Sequence, residues 1–208
     1  LARSRNIFIA TSTNGHYLND TNVAKVINSG LNHLIISMDG LDQQTYIKYR
    51  RNGNLELVTD GIRRLVLAKK SAGTKIPFVE LQFLVMRHNE HQIREMREFA
   101  KKTGVDKLSF KSAQIYNFDN DNSIIPTIKA KSRYIQLPDG SWVMGRKMHN
   151  SCRRIWSSLV VTWDGIVVTC CYDKNADHPS GNLIEESLND IWKKKVYTSF
   201  RKQVLKSR

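Results

Sequence analysis

The sequence predicts an α/β fold, in which a parallel sheet or part of a barrel is followed by a small α+β unit. Two observations support this fold class. In the first half of the chain, short apolar segments alternate with longer amphipathic segments that end at glycine, which is typical of repeated strand–helix–strand units. After about residue 112 the alternation ends, and the turn signals Pro138-Asp139-Gly140 and Asp164-Gly165 predict hairpins instead.

Strands and helices alternate regularly in the first half of the predicted fold. The predicted strands are 6–11, 33–38, 78–86 and 107–110. Helices are predicted to begin at Asn19 or Asp20, Asp42, Asn54 and Asn89, where a short polar side chain can cap a helix N-terminus. The expected organisation is a first domain at 1–115, a connecting segment at 116–150 and a second domain at 151–208.

Composition limits the classes of protein that the chain can belong to. It has 208 residues, a net charge of +14 and three cysteines. No apolar run approaches the roughly 18 residues of a membrane span, and the N-terminus lacks signal-peptide organisation, so we expect no membrane association and a cytoplasmic location. Because of the positive charge, a basic module that binds nucleic acid or an acidic partner is an alternative function. The basic residues are, however, spread along predicted helix faces.

The cysteines form the most specific pattern in the chain, C-x12-G-x4-C-C, from Cys152 to Cys170 and Cys171. A hairpin is predicted from residues 157–163 and 166–171, with Asp164-Gly165 at its turn. This hairpin would hold Cys170 on a rigid ribbon, and Cys152 would reach it from the entering loop. Adjacent cysteines rarely form a disulfide with each other, so the pattern favours a metal or cluster site.

A structural zinc site is one interpretation of the same pattern. Thiolates suit zinc, and three of them with one further ligand complete a tetrahedral site. The candidates for the fourth ligand are His149, Asp173 and His178.

Polar residues follow the predicted strands at the points where these end. They are Ser12-Thr13-Asn14-Gly15 after the first strand, Ser37 and Asp39-Gly40 at the second, Arg87-His88-Asn89 after the third, and Lys111-Ser112 after the fourth. Because ligands of parallel sheets bind at the carboxyl ends of the strands, these side chains are candidates for a polar small-molecule site. Arg50 and Arg51 follow shortly after Asp39 and offer guanidinium groups that can bind a carboxylate.

Taken in order, these motifs resemble those of radical S-adenosylmethionine (SAM) enzymes with a SPASM or twitch-type auxiliary iron–sulfur domain. The matching segments are Thr13-Asn14-Gly15, ISMDG at 36–40, YIKYRRNG at 46–53, VMRHN at 85–89, Cys152-x3-Trp156, WDGIVVTCCYD at 163–173, and the GNL and S-L-x-x-I-W segments that follow. The C-terminal pattern is the more specific part, and the strand-end matches are informative mainly through their order.

The resemblance implies a partial (β/α) barrel of the radical SAM type, with its later strands only, followed by a small SPASM/twitch-like domain with a β-hairpin. It implies S-adenosylmethionine and a 4Fe-4S cluster as cofactors. Ser37 and Asp39 would face the ribose and methionine part of SAM, with Thr13 and Asn14 on the neighbouring strand end. Asn89 would reach toward ribose or adenine. Cys152 and Cys170 would be thiolate ligands of the auxiliary cluster, and Cys171 is a less definite third.

The chain also departs from the family pattern. It contains no C-x3-C-x2-C motif for the SAM-cleaving cluster and no G-G-E-P-like strand end. We therefore expect a fragment, truncated at both ends and inactive alone, of an oxidoreductase that makes a 5′-deoxyadenosyl radical for hydrogen abstraction. The substrate could be a peptide, a protein or a small molecule, and the electron donor would be a protein such as flavodoxin or ferredoxin.

Overall fold

A computed structural model describes residues 1–115, 122–145 and 152–206. The chain divides into two compact units, Leu1–Arg146 and Lys147–Arg208. Each unit has its own cluster of buried apolar side chains. Among the described residues, no helix combines the length and the apolar character needed to cross a lipid bilayer.

The first unit is built on a four-stranded parallel sheet with the strand order β1-β2-β3-β4. The strands are β1 (Ala10–Thr13), β2 (His33–Ser37), β3 (Phe78–Val85) and β4 (Lys107–Ser112), and the helices are α1 (Asp20–Ser29), α2 (Gln43–Ile47), α3 (Leu55–Ser71) and α4 (Ile93–Thr103). The parallel strands and the alternation with helices agree with the prediction.

The first strand begins later than predicted, at Ala10 instead of Asn6. A 3-10 turn at Arg3–Arg5 precedes it, and Asn6 adopts a left-handed conformation with φ 53°. Ile9 then donates its backbone N–H to the side chain of Asn32 at 2.9 Å. Residues 6–9 are therefore held by a turn and by a hydrogen bond to the distant Asn32, which periodicity cannot show.

One face of the sheet packs on the helices. Along β2 and β3 every second side chain is buried, as in Leu34, Ile36, Leu81 and Phe83, and these pack with apolar residues of α3 and α4. The alternate positions in register on these strands and β4 point to the other face. They include Ser37, Gln82 and Ser109, which are half-buried, and the buried Glu80.

Helix starts follow the predicted capping residues with one exception. The side chains of Asn19, Asp42 and Asn54 accept hydrogen bonds from the N–H groups of Asn22, Thr45 and Leu57. The prediction that Asn89 caps the fourth helix is wrong, because its side chain makes no capping bond. A 3-10 turn at Glu90–Gln92 separates Asn89 from α4.

A short hairpin completes the described part of the first unit. Strands β5 (Tyr134–Gln136) and β6 (Trp142–Met144) pair antiparallel around the predicted turn, in which Gly140 has φ 87°. The hydroxyl of Tyr134 accepts the backbone N–H of Ile115 at 2.7 Å, which connects the hairpin to the residues after β4.

The second unit combines a three-stranded antiparallel sheet with two helices. Its elements are β7 (Val160–Val161), β8 (Ile166–Val168), β9 (Pro179–Asn182), α5 (Leu188–Lys193) and α6 (Lys195–Lys206). The predicted hairpin is present as β7 and β8 with shorter strands, and Gly165 lies in its turn with φ 87°. The core cluster contains Val167, Ile191 and Tyr197, so both helices pack on the central strand.

Candidate functional site

The carboxyl ends of β1, β2 and β3 bring most of the predicted site residues of the first unit to one edge. In the parallel register, Thr13 lies beside Ile36, and Ser37 lies beside Gln82. Ser37 is half-buried, and Asp39 follows two residues later. The edge therefore presents hydroxyl, amide and carboxylate groups from adjacent strands.

Asp39 and Arg50 form an ion pair at this edge. Asp39 is 1% exposed; its Oδ2 accepts from Arg50 Nε at 2.6 Å, and its Oδ1 accepts the backbone N–H of Leu84 at 2.6 Å. Burial raises the pKa of Asp39 above its ordinary value, although Arg50 and the Leu84 N–H act to lower it. Both carboxylate oxygens are thus used inside the protein, and Asp39 orients Arg50.

Arg50 keeps part of its guanidinium free for another partner. Its side chain remains 29% exposed, and the guanidinium carbon lies 5.4 Å from the ring centre of Tyr49. Among the described residues, Asp39 is the acid with which it forms an ion pair. A guanidinium fixed on one edge by a buried carboxylate can offer its remaining N–H groups to an anionic ligand.

Asn89 is fully buried and connects two strand ends. Its Nδ2 group donates to the carbonyls of Asp39 at 3.0 Å and Leu84 at 2.9 Å, and its Oδ1 accepts the N–H of Met86 at 2.7 Å. Both amide protons are therefore occupied. The structure places Asn89 beneath the edge, and a contact with a ribose or adenine stays a prediction.

Thr13 and Asn14 shape the loop after β1. Thr13 Oγ1 accepts the N–H of Gly15 at 3.1 Å, and Asn14 Oδ1 accepts the N–H of His16 at 3.2 Å. Gly15 has φ 81°, where a side chain would be strained. Asn14 is exposed and Thr13 is half-buried. These residues build the turn, and their binding role stays a prediction.

Three buried polar atoms near this edge have no hydrogen-bond partner among the described residues. They are His16 Nδ1, Tyr46 Oη and His88 Nε2. Burial raises the pKa of Tyr46 and lowers the pKa of His88, so both side chains are neutral at pH 7. His16 Nε2 accepts the N–H of Asn54 at 2.9 Å, which leaves the proton on Nδ1 as a donor. Such orphan groups fit a bound polar ligand or ordered water.

Of these residues, only His88 is among the polar residues expected at the strand ends, and His16 and Tyr46 are not predicted site residues. Each nevertheless lies within a segment that carries the family resemblance or directly beside it: His16 follows Thr13-Asn14-Gly15, and Tyr46 stands four residues before Arg50. Adjacency to these motifs is the signal that could have identified them.

A second polar group lies on the sheet face opposite the helices. Glu80 is 4% exposed; its Oε2 lies 3.2 Å from Lys107 Nζ and 3.1 Å from His33 Nε2. Burial acts to raise the pKa of Glu80, but hydrogen bonds from Ser109 and Lys107 and the nearby positive charges lower it below its ordinary value. Glu80 is therefore held as a carboxylate.

A groove of about 600 Å³ lies on the helical side of the first unit. Its lining includes Met38, Asp42, Asn54, Glu56 and Arg63. Predicted site residues do not line this groove, so it is distinct from the strand-end cluster.

The cysteines are free thiols with access to solvent. Cys152 and Cys171 are exposed and Cys170 is half-buried. Within residues 1–115, 122–145 and 152–206, no three His, Cys, Asp or Glu side chains form a group that could hold a metal ion. The roles of Cys152, Cys170 and Cys171 as metal ligands stay a prediction. A cluster would need more ligands than the described residues bring together.

The other zinc candidates are placed as follows. Asp173 closes a loop, because its carboxylate accepts the N–H groups of Asp177 at 2.8 Å and His178 at 3.0 Å. His149 lies outside the described residues. A zinc site with Asp173 would have to share that carboxylate with the loop.

Most of the second unit is similar to a known family. Residues 152–208 match the family model of SPASM, an iron–sulfur cluster-binding domain. The match begins at Cys152 and includes Cys170, Cys171 and both C-terminal helices. It thus covers the segment in which the cysteine pattern was found.

Curated relatives extend the similarity along the chain. The tungsten-containing aldehyde ferredoxin oxidoreductase cofactor-modifying protein of Pyrococcus furiosus is 25% identical over 226 residues, which cover 96% of this chain and 63% of that protein. The GTP 3′,8-cyclase of Marinobacter nauticus is 37% identical over 102 residues, covering 49% of this chain and 28% of the relative. The chain thus spans less than two thirds of the length of these relatives.

Solved structures show the same fold. Streptococcus suis SuiB bound to S-adenosylmethionine matches with a TM-score of 0.68 and 13% identity, over 96% of this chain and 51% of SuiB. SuiB bound to its precursor peptide SuiA matches with a TM-score of 0.64 and 13% identity, again over 96% and 51%. The predicted fold class, a partial α/β barrel followed by a small SPASM-like part, is confirmed.

Proposed function

We propose that this chain is part of a radical S-adenosylmethionine protein with a SPASM domain, and that its first unit binds SAM for hydrogen abstraction from a substrate. The Asp39–Arg50 pair carries the proposal. It places a guanidinium with free N–H groups at the carboxyl end of a parallel strand, where ligands of such sheets bind. The methionine part of SAM has the carboxylate that this group suits.

The neighbouring residues support the same ligand. Ser37 offers a hydroxyl on the strand before Arg50, and Thr13 and Asn14 shape the adjoining loop. The unpartnered donors of His16 and Tyr46 add polar groups at this edge. Hydroxyl and amide groups suit ribose and the amino acid part of SAM, so the residues present fit the cofactor.

When bound, SAM and a 4Fe-4S cluster supply radical hydrogen abstraction. This chain's contribution would be to orient the cofactor: Asp39 holds Arg50, and Asn89 joins the ends of β2 and β3 beneath it. A rigid edge of this kind fixes the ligand relative to the substrate, which is how positioning accelerates a reaction. The 208 residues contain no C-x3-C-x2-C motif, so the ligands for that cluster are not among them.

The second unit would hold an auxiliary iron–sulfur cluster. Three free, solvent-accessible thiols and the SPASM match support this part of the proposal. Four thiolates are the usual ligand set, so the cysteines of this chain would supply part of it. A structural zinc site is the competing assignment.

We favour a peptide or protein as the substrate. The support is the shared fold with SuiB, whose structure with a precursor peptide covers 96% of this chain. Radical chemistry of this type needs a low-potential electron donor, for which flavodoxin or ferredoxin is our proposal. Free thiols and reduced clusters also favour a reducing compartment, so the proposed location is the cytoplasm.

The SAM assignment is tested by calorimetric titration of SAM into the purified chain and its Arg50→Gln variant. We expect the variant to bind about tenfold more weakly, because it lacks the charge for the carboxylate. Decarboxylated SAM should bind both proteins equally, since it has no carboxylate to lose. Arg51→Gln is the matched control, because Arg51 is exposed and adjacent in sequence.

Two results would contradict this assignment. A chain that does not bind SAM would remove the proposal for the first unit. An Arg50→Gln penalty of equal size for both ligands would show that Arg50 acts on the fold and not on the carboxylate.

The auxiliary cluster is tested separately by metal analysis of anaerobically purified protein. Iron together with acid-labile sulfide supports the cluster. Stoichiometric zinc without sulfide would replace it by the zinc assignment.

A further inference from the structure

Arg201 on α6 is the most unusual residue of the second unit. It is 6% exposed, and its guanidinium lies among three aromatic rings. Its guanidinium carbon is 3.8 Å from the ring centre of Trp192, 4.2 Å from that of Tyr197 and 5.5 Å from that of Trp156. The charge is therefore held by cation–π contacts inside a small core.

The charge of Arg201 has no acidic partner in the part of the chain that the structure describes. Arg201 forms no ion pair there, and its Nη2 atom is buried without a hydrogen bond. A buried charge without a counter-charge is costly. A negatively charged group close by would offset this cost.

Arg201 also fixes the chain that follows Cys152. Its Nε donates to the carbonyl of Ile155 at 2.9 Å, within the 3-10 turn Arg153–Trp156 that Cys152 precedes. One helical turn earlier on α6, the hydroxyl of Tyr197 donates to the carbonyl of Ser158 at 3.1 Å. Two side chains of a single helix thus hold residues 155–158.

The held segment leads directly into the sheet whose central strand, β8, runs toward Cys170. Val160 pairs with Val168 in the antiparallel register of β7 and β8, and β8 ends two residues before Cys170. Helix α6 therefore restrains the chain between Cys152 and β7, while β7 restrains the strand that leads to Cys170. A thiolate cluster site needs this kind of fixed relation between its ligands.

We propose that Arg201 is a positioning residue of the auxiliary-cluster site, which holds the turn after Cys152 and supplies a fixed positive charge to an anionic, thiolate-ligated cluster. The proposal rests on the proposed function of the second unit. An apolar core side chain could fill the same space, but it would neither donate to Ile155 nor carry charge. The charge is what a purely structural role leaves unexplained.

Three variants separate these contributions. Arg201→Met keeps apolar bulk but loses both the donor and the charge, Arg201→Gln keeps an N–H donor without charge, and Arg201→Lys keeps the charge without the planar group. Arg153→Met is the matched control, because Arg153 is an exposed arginine in the 3-10 turn that Arg201 contacts. Each protein is compared by circular dichroism and by hydrogen exchange of β3 amides in the first unit, which should not change if the variant folds.

The first measurement needs no metal. Hydrogen exchange followed by mass spectrometry should show the 153–158 segment of Arg201→Met exchanging about tenfold faster than in the parent chain. The second measurement is iron and sulfide uptake on anaerobic reconstitution, which should fall in Arg201→Met. The third is a redox titration followed by electron paramagnetic resonance, in which Arg201→Gln should have a lower reduction potential and Arg201→Lys should resemble the parent, because a fixed cation favours the reduced cluster.

The outcomes distinguish this inference from the proposed function. If the parent chain takes up no iron and sulfide, the proposed cluster fails and this role of Arg201 fails with it. If the parent takes them up, and Arg201→Met and Arg201→Gln match it in uptake and potential, the inference alone is wrong. Faster exchange at 153–158 with unchanged uptake and potential would also overturn it, because Arg201 would then be a structural residue only.

Discussion

At the scale of single residues, the strand-end site depends on buried polar side chains whose hydrogen bonds lie within the protein. Asp39 uses both carboxylate oxygens, and Asn89 uses both amide protons, to connect the ends of β2 and β3. These residues were predicted to contact a cofactor directly. Their geometry is better suited to supporting neighbours such as Arg50, which keeps an exposed edge.

Glu80 gives a pH-dependent prediction for stability. Its pKa is lowered in the folded protein, so its contribution is present above the unfolded-state pKa, near 4.3, and is lost as pH falls through the folded pKa. At pH 7, Glu80→Gln should lower the free energy of unfolding by about 1–2 kcal/mol, because the variant loses the charge that Lys107 pairs with. The loss is no larger because Lys107 is half exposed and partly solvated. Urea unfolding between pH 3 and pH 7 measures both effects.

The stability of the Glu80→Gln variant should vary less with pH below about pH 5 than that of the parent chain. Glu98→Gln serves as the control, because Glu98 is exposed on α4. Parallel pH profiles for the parent and Glu80→Gln would contradict the prediction.

At the scale of elements, α3 approaches the loop after β1 closely because of a glycine. A Cβ atom on Gly61 would lie 2.7 Å from Leu18 Cβ and 3.1 Å from the carbonyl oxygen of Gly15. Gly15 follows the Thr13-Asn14 turn, so this contact sets the position of the loop beside the strand-end site. A glycine inside a helix weakens the helix, but here the missing side chain permits the close packing.

Replacing Gly61 by alanine tests this contact. Helix propensity alone would stabilise the variant by about 1 kcal/mol. We expect instead a loss of about 1–2 kcal/mol in the free energy of unfolding, because the added methyl group overlaps Leu18 and the backbone at Gly15. Lys70→Ala, at an exposed position of α3, should change stability by only a few tenths of a kcal/mol.

Chemical denaturation gives the stability values for the glycine test. A Gly61→Ala chain more stable than the parent would show that the loop moves aside at little cost.

At the scale of the whole molecule, the two units differ in how much core they have. Among the described residues, the core cluster of the first unit contains sixteen buried apolar side chains, and that of the second unit contains three. A unit with so small an apolar core commonly needs a metal or another cross-link for full stability. The SPASM match suggests where that support would come from.

Hydrogen exchange should reveal this difference. Without metal, amides of β7 to β9 should exchange at least about tenfold faster than those of β3, which lies between two strands and under the helices. Anaerobic reconstitution with iron and sulfide should slow exchange in the second unit and leave β3 unchanged. Equal protection of β3 and β8 before reconstitution would mean that the second unit needs no added support.

Much of the fold could be predicted because it depends on local patterns. The apolar strand that contains Leu34 and Ile36, the caps Asn19, Asp42 and Asn54, and the turn at Gly165 agree with the structure. Asn89 was misassigned as a helix cap because its partners, Asp39 and Leu84, are distant or on another element. Arg201 has no local signature that reveals burial, since amphipathic helices usually expose their arginines.

The α/β class, the two hairpins and the cysteine pattern can be predicted from the sequence alone, because periodicity, turn residues and residue spacing are local properties. Which polar groups meet is seen only in the folded chain. The folded chain shows that Asp39 is used to orient Arg50, that Asn89 is a buried connection between strands, and that Arg201 lies in an aromatic core without an acidic partner among the described residues. These facts depend on burial and on contacts between residues far apart in the chain.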